Sequence, residues 1–187
     1  MNKLIIIFCL FFISACSSKV TQLITPNEIN YNGKNYILAG SQDLGEMARY
    51  VYLTPTENLQ NWSSQIEILL DRNTILRPLK QRIELRKRIY KNQGIAYFNL
   101  SLNKSNELQS RVIYAPSEQE KSWQINVAKG KELNHCGFVQ FQISQKIDAN
   151  ISRLNKNTIL KMIQKTLLPK EIKNVEKYPF NWQCLMN

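Results

Sequence analysis

An α+β fold, a mostly antiparallel sheet with two basic amphipathic helices packed on one face, is the architecture these 187 residues predict. Three observations carry it. Short runs of alternating apolar and polar residues follow one another along the chain. An Asn-Gly pair, Asn32-Gly33, sits between β-prone residues, the pattern of a two-residue hairpin. Two segments, 74–91 and 151–168, space their apolar residues at helical intervals. Consecutive strands interrupted by two helices belong to the α+β class.

In chain order, residues 17–27 read as a flexible tether of polar and turn residues, and the domain begins near Glu28. Ile29 to Leu38 forms the hairpin around Asn32-Gly33, and Ala39 to Glu46 reads as a loop. Met47 to Leu53 alternates Met47, Arg49, Val51 and Leu53 against Ala48, Tyr50 and Tyr52, a strand favoured by its aromatic and branched residues. Thr56 to Ser64 reads as a short helical turn anchored by Trp62. Gln65 to Leu70 fits a strand or more helix, since so short a run has no decisive period. Leu76, Leu79, Ile83 and Tyr90 form one helical stripe, regular from Pro78, and Gly94 ends it. Four strands follow, at 95–102, 108–114, 122–128 and 137–147. The last is the clearest half-buried pattern, with Val139, Phe141 and Ile143 inward and Gln140, Gln142 and Ser144 outward. The second helix turns Leu154, Ile159, Met162, Ile163 and Leu167 inward, and Pro169 breaks it. No internal repeat or second domain is visible.

The first sixteen residues carry an address. Lys3 is a short positive region, and Leu4 to Ile13 is an unbroken apolar run of ten residues. A helix needs about 20 residues to span a bilayer, so the run suits the core of a signal peptide. Ile13-Ser14-Ala15-Cys16 follows, and resembles the lipobox of bacterial lipoprotein precursors. The resemblance implies cleavage before Cys16, removal of residues 1–15, and a diacylglyceryl thioether on Cys16. Ser17 in place of Asp resembles the pattern of lipoproteins sent to the outer membrane, here facing the periplasm. The expected organisation is a signal peptide at 1–15, a lipidated tether at 16–27 and one domain at 28–187.

With Cys9 lost and Cys16 acylated, Cys136 and Cys184 are the remaining thiols. Two cysteines in an oxidising compartment are expected to form one disulfide, pinning the aromatic tail Tyr178 to Cys184 to the start of the last strand.

Charge is unevenly distributed. The chain carries +11 overall. Asp71 to Lys91 holds eight basic residues against two acidic, and Ile151 to Lys177 seven against two, so the rest is nearly neutral. Arg82, Arg86, Lys87, Arg88 and Lys91 are the densest group and the candidate site for an anionic partner: a phospholipid, a polysaccharide phosphate or an acidic protein. The competing use of such a group is a solvated helix face. Nucleic acid is not expected, because base-stacking readers interleave aromatics with cations and this segment has only Tyr90.

No catalytic residue, metal site or cofactor beyond the lipid on Cys16 is expected. The chain has one His, no nucleotide-binding glycine fingerprint and no Cys-x-x-Cys. His135-Cys136 is the one His/Cys pair, and that cysteine is better used in the disulfide. Asp43 and Glu46 around Gly45 are the nearest approach to a carboxylate pair, and read as a solvated turn. The three tryptophans read as core rather than as a sugar or lipid groove. The expected function is a non-catalytic envelope lipoprotein that binds a protein or an anionic envelope component as scaffold, adaptor or secretion accessory. The alternatives are an immunity lipoprotein neutralising an envelope-targeting toxin and, third, an envelope hydrolase.

Overall fold

The computed structural model describes residues 21–147 and 154–185. The leader, the lipobox and Arg153 lie outside them. The fold is α+β with an antiparallel sheet, as the strand pattern predicts. β1 (Gln22–Ile24) lies in the stretch expected as tether, with Leu23 buried. Then come β2 (Glu28–Tyr31), β3 (Lys34–Asp43), β4 (Met47–Leu53) and β5 (Ser64–Asp71), a four-stranded meander. Helix α1 (Leu79–Asn92) leads to a second meander: β6 (Tyr97–Leu102), β7 (Leu108–Tyr114), β8 (Trp123–Leu133) and β9 (Gly137–Ile147). α2 (Lys156–Lys165), α3 (Leu167–Lys177) and β10 (Gln183–Leu185) complete the described chain.

The main sheet has the order β2-β3-β4-β5-β9-β8-β7-β6. The meanders join where β5 pairs with β9 from Ser64↔Gln145 to Asp71↔Phe138. The start of β9 passes so close to the end of β5 that a Cβ on Gly137 would meet the backbone of Asp71 and Arg72; its φ of 102° likewise suits glycine. The β2–β3 hairpin turns on Asn32 and Gly33 at φ 49° and 76°, both left-handed, as a two-residue hairpin requires.

The two helical segments do not share a face. Adjacent residues of a strand point to opposite sides of the sheet. Phe138 packs with Leu79 and Ile83 of α1, Leu100 and Leu108. Its neighbours Val139 and Phe141 belong to the larger core with Ile159 and Ile163 of α2 and Leu168 and Val175 of α3. The topology explains this. β5 is central and β6 lies at the far edge, so α1 crosses one side of the second meander and leaves the other for α2 and α3. β9 is therefore buried on both sides. Gln140 and Ser144, expected in solvent, are buried, and the amides join into a row: Gln140 Nε2 donates to Gln142 Oε1 at 3.5 Å and Gln142 Nε2 to Ser144 Oγ at 3.2 Å.

Other local expectations shift for identifiable reasons. β3 runs through Ala39 and Gly40 on a bulge between Leu38 and Gly40, so the loop shrinks to the turn before Met47. Trp62 lies in a turn segment, half-buried, with the Lys146 ammonium 4.6 Å from its ring centre. Leu76 is not on the α1 stripe; it is exposed at φ 50°. Pro169 does not stop the second helix. The break is at Thr166, and Pro169 sits in the first turn of α3, where a missing N–H costs no hydrogen bond. Asn155 caps α2, its Oδ1 accepting from Thr158 N at 2.9 Å.

Candidate anion-binding surface

α1 turns two of its arginines inward. Leu79, Arg82, Ile83 and Arg86 recur at three- and four-residue spacing and so share the face toward the sheet. Arg82 is 4% exposed, donates to Asp71 Oδ2 and lies 4.4 Å from the Phe138 ring centre. Arg86 donates to Gln140 Oε1, and burial pushes its guanidinium pKa below the usual value. Of the predicted cluster, Lys87, Arg88 and Lys91 remain on the outer side, and Lys87 is paired with Glu84 at 3.0 Å. The fold therefore splits that cluster between a stacked, paired interior and a thinned exterior.

The outer side of α2 and α3 has the opposite character. Ile159, Ile163, Leu168 and Val175 turn to the core, which leaves Lys156, Lys161, Lys165, Lys170, Lys173 and Lys177 all exposed. Among the described residues, none of the six is ion-paired. Two acids, Glu171 and Glu176, lie on the same helices. Glu171 is buried, accepting from Tyr31 Oη and from Gln145 Nε2 at 3.0 Å, and thereby ties the edge strand β2 to α3. Burial, then that bond to Glu171, pushes the Tyr31 hydroxyl pKa up. Glu176 accepts from Gln109 Nε2 at 3.2 Å. What remains outside is an extended band of flexible ammonium groups, suited to a broad acidic surface rather than to one enclosed anion. Along the sequence these lysines are spread more thinly than Arg82 to Lys91, and density does not decide which cations stay outside. The missed signal was residue type: guanidinium groups stack and fork inside a fold more readily than ammonium groups do.

A second concavity, of about 460 Å³, opens beyond the end of α1 between Gly94, Tyr114, Glu120, Gln124 and Asn126. Its floor is neutral and polar, with Gln124 Nε2 donating to Asn126 Oδ1 at 2.7 Å. Glu120 at its rim is held below the usual carboxylate range by its hydrogen bond from Lys146. Nothing there selects an anion.

Asp43 is structural, and Glu46 lends the turn its backbone carbonyl. Arg72 forks onto Asp43 at 2.9 and 2.6 Å, which holds the Asp43 carboxyl below its usual pKa, and Arg72 N donates to Glu46 O at 2.9 Å. Cys136 and Cys184 form the expected disulfide, with Cα atoms 5.8 Å apart. His135 lies in the β8–β9 turn with φ 63°, exposed. Among the described residues, no group of three His, Cys, Asp or Glu side chains is placed to hold a metal, and no helix is long and apolar enough to cross a membrane.

A protein-family model matches residues 23–180. A Haemophilus influenzae protein, described as an uncharacterized protein, is 44% identical over 191 residues, which covers 98% of this chain and 99% of the relative. No solved structure matches.

Proposed function

This chain belongs to the family matched over residues 23–180, and we propose that it is a non-catalytic, lipid-anchored envelope protein that holds an acidic partner on the lysine band of α2 and α3. Residues 1–15 act as the signal peptide, and Cys16 carries the lipid that fixes the domain to the outer membrane, facing the periplasm. Two or three acyl chains make such an anchor stable where one does not. The supporting observation is the six exposed lysines of Lys156 to Lys177, unpaired among the described residues, with Glu171 buried and Glu176 the one exposed acid beside them. A band of one sign steers an oppositely charged macromolecule and is weakened by salt. Its extent favours an acidic protein surface over a small ligand.

The test is chemical crosslinking in the native envelope followed by mass spectrometry of what is captured. The full-length chain is compared with a variant carrying Lys161→Glu, Lys165→Glu, Lys170→Glu and Lys173→Glu. The expected result is a stoichiometric acidic protein captured by wild type, lost in the variant and retained when Arg88→Glu and Lys91→Glu are introduced instead. Equal capture by all three would overturn the assignment of the surface. Capture of an envelope-targeting toxin would make the protein its immunity factor through the same surface. Separately, Cys16→Ala is expected to release the protein from the membrane or block its processing; a variant that fractionates like wild type would remove the anchor.

A further inference from the structure

The three most exposed large aliphatic side chains among the described residues are gathered at one end of the sheet. They are Leu76 at 83%, and Leu44 and Ile75 at 67% each. Leu44 is in the turn between β3 and β4, while Ile75 and Leu76 are in the loop between β5 and α1. Arg72 draws the two loops together: besides its fork onto Asp43, its Nη1 donates to Gly45 O at 2.6 Å.

The β5–α1 loop is latched with its apolar tip outward. Asn73 Oδ1 accepts from Arg77 N at 2.7 Å, and Asn73 Nδ2 donates to Arg77 O at 3.1 Å. Leu76 N closes the turn onto Asn73 O at 2.7 Å. Leu76 takes φ 50°, a left-handed backbone that leucine rarely adopts. A soluble loop tip is usually small and polar; this one displays two branched aliphatics flanked by Arg77 and Lys80.

The same corner receives the N-terminal segment. Thr21 O accepts from Arg72 Nε at 2.8 Å, and Thr21 Oγ1 donates to His135 O at 3.3 Å. Thr21 is five residues past Cys16, so the chain between them reaches at most about 17 Å. Lipid on Cys16 would therefore keep this end of the domain close to the membrane.

We propose that Leu44, Ile75 and Leu76 insert into the lipid interface beside the acylated Cys16, so that the domain stands on the membrane by this end of the sheet. Insertion here rests on the lipoprotein reading of Cys16. Aliphatic side chains at the boundary of headgroups and acyl chains add buried apolar area to the anchor, and the adjacent cations meet lipid phosphates. The lysine band of α2 and α3 is then carried on the flank of the domain, open to a partner in the periplasm.

The test uses full-length, membrane-processed protein reconstituted into phosphatidylethanolamine–phosphatidylglycerol vesicles doped with nitroxide-labelled lipid. Single cysteines are introduced as Leu76→Cys, Ile75→Cys and Leu59→Cys and coupled to a fluorophore. Leu59 is the control: it is exposed, and lies in the segment joining β4 to β5 at the opposite end of the sheet. With Cys16 acylated and Cys136 bonded to Cys184, the introduced thiol is the one labelled. Quenching several-fold stronger at positions 75 and 76 than at 59 is the expected result. A lipidated protein on vesicles, its acylation confirmed by mass, with all three positions alike would overturn insertion and leave the anchor standing. Protein that carries no lipid on Cys16 and stays in the supernatant would overturn both.

Discussion

α1 and the α2–α3 pair are both strongly basic in sequence, yet they dispose of their charge in opposite ways. α1 and the loop before it are rich in arginine, and the structure draws three of the five inward: Arg72 forks onto Asp43, Arg82 pairs with Asp71 over the Phe138 ring, and Arg86 reaches Gln140. Every basic residue of α2 and α3 is a lysine, and every one points to solvent. A planar guanidinium keeps donors in several directions while its face stacks on an aromatic ring; an ammonium group is held more firmly by water. Similar net charge thus describes an internal brace in one region and a surface in the other.

The comparison is sharpened first at the bridge that holds the tail behind α3. Cys136→Ser and Cys184→Ser, each opening a loop of sequence separation 48, are expected to lower stability equally, by about 4 kcal/mol. Chemical denaturation measures this, and full stability in either variant would show that the bridge carries no load. Next is the brace itself. Arg82→Ala leaves Asp71 without its partner inside the α1 interface and should cost about 3 kcal/mol. Arg82→Lys should recover only part, while Lys165→Ala on the lysine band should stay within about 0.5 kcal/mol. Comparable losses at positions 82 and 165 would erase the distinction between the regions.

A smaller effect has the opposite sign. Leu76→Asn places a residue that tolerates left-handed backbone at φ 50°, so thermal unfolding should show a gain of about 1 kcal/mol, even as lipid contact is lost. The smallest effect is acid-dependent. The Arg72 fork holds the folded Asp43 carboxyl below its unfolded value, so its contribution is complete above about pH 4 and disappears as pH falls through the folded value. The pair is partly exposed and screened by solvent, so the change is about 0.5 kcal/mol. Asp43→Asn should flatten the stability curve below about pH 4; an unchanged curve would detach Asp43 from acid sensitivity.

Local chemistry was legible in the chain, and global placement was not. Asn32-Gly33 specified its hairpin because only left-handed residues close that turn, and Cys136 and Cys184 were the two cysteines inside the expected domain, where the structure bonds them. The bounds of β7 and β9 were readable to the residue, β9 from its alternation. Gln140, Gln142 and Ser144 misled, because a polar row can be buried when its members hydrogen-bond one another and an arginine covers them. The face chosen by α1 was hidden too. It depends on β5 pairing with β9 across the centre of the sheet, a long-range register that no local window contains. Of the candidate site, the exposed charge was countable from sequence, but which cations stayed outside depended on Asp71 and Phe138 lying beneath α1.

The small sheet of β1 and β10 has a mechanical consequence. Leu23 pairs with Cys184, and Cys184 is bonded to Cys136 in the β8–β9 turn. Tension applied to the chain ahead of Thr21 enters at Thr21, which Arg72 Nε holds, and at β1. It passes to β10 and then through a covalent link into the turn between two of the longest strands. Part of the load therefore reaches the centre of the sheet without passing along the edge strand β2. Reducing that one bond would leave β1 held by its pairing with β10, by the burial of Leu23 and by the grip of Arg72 on Thr21.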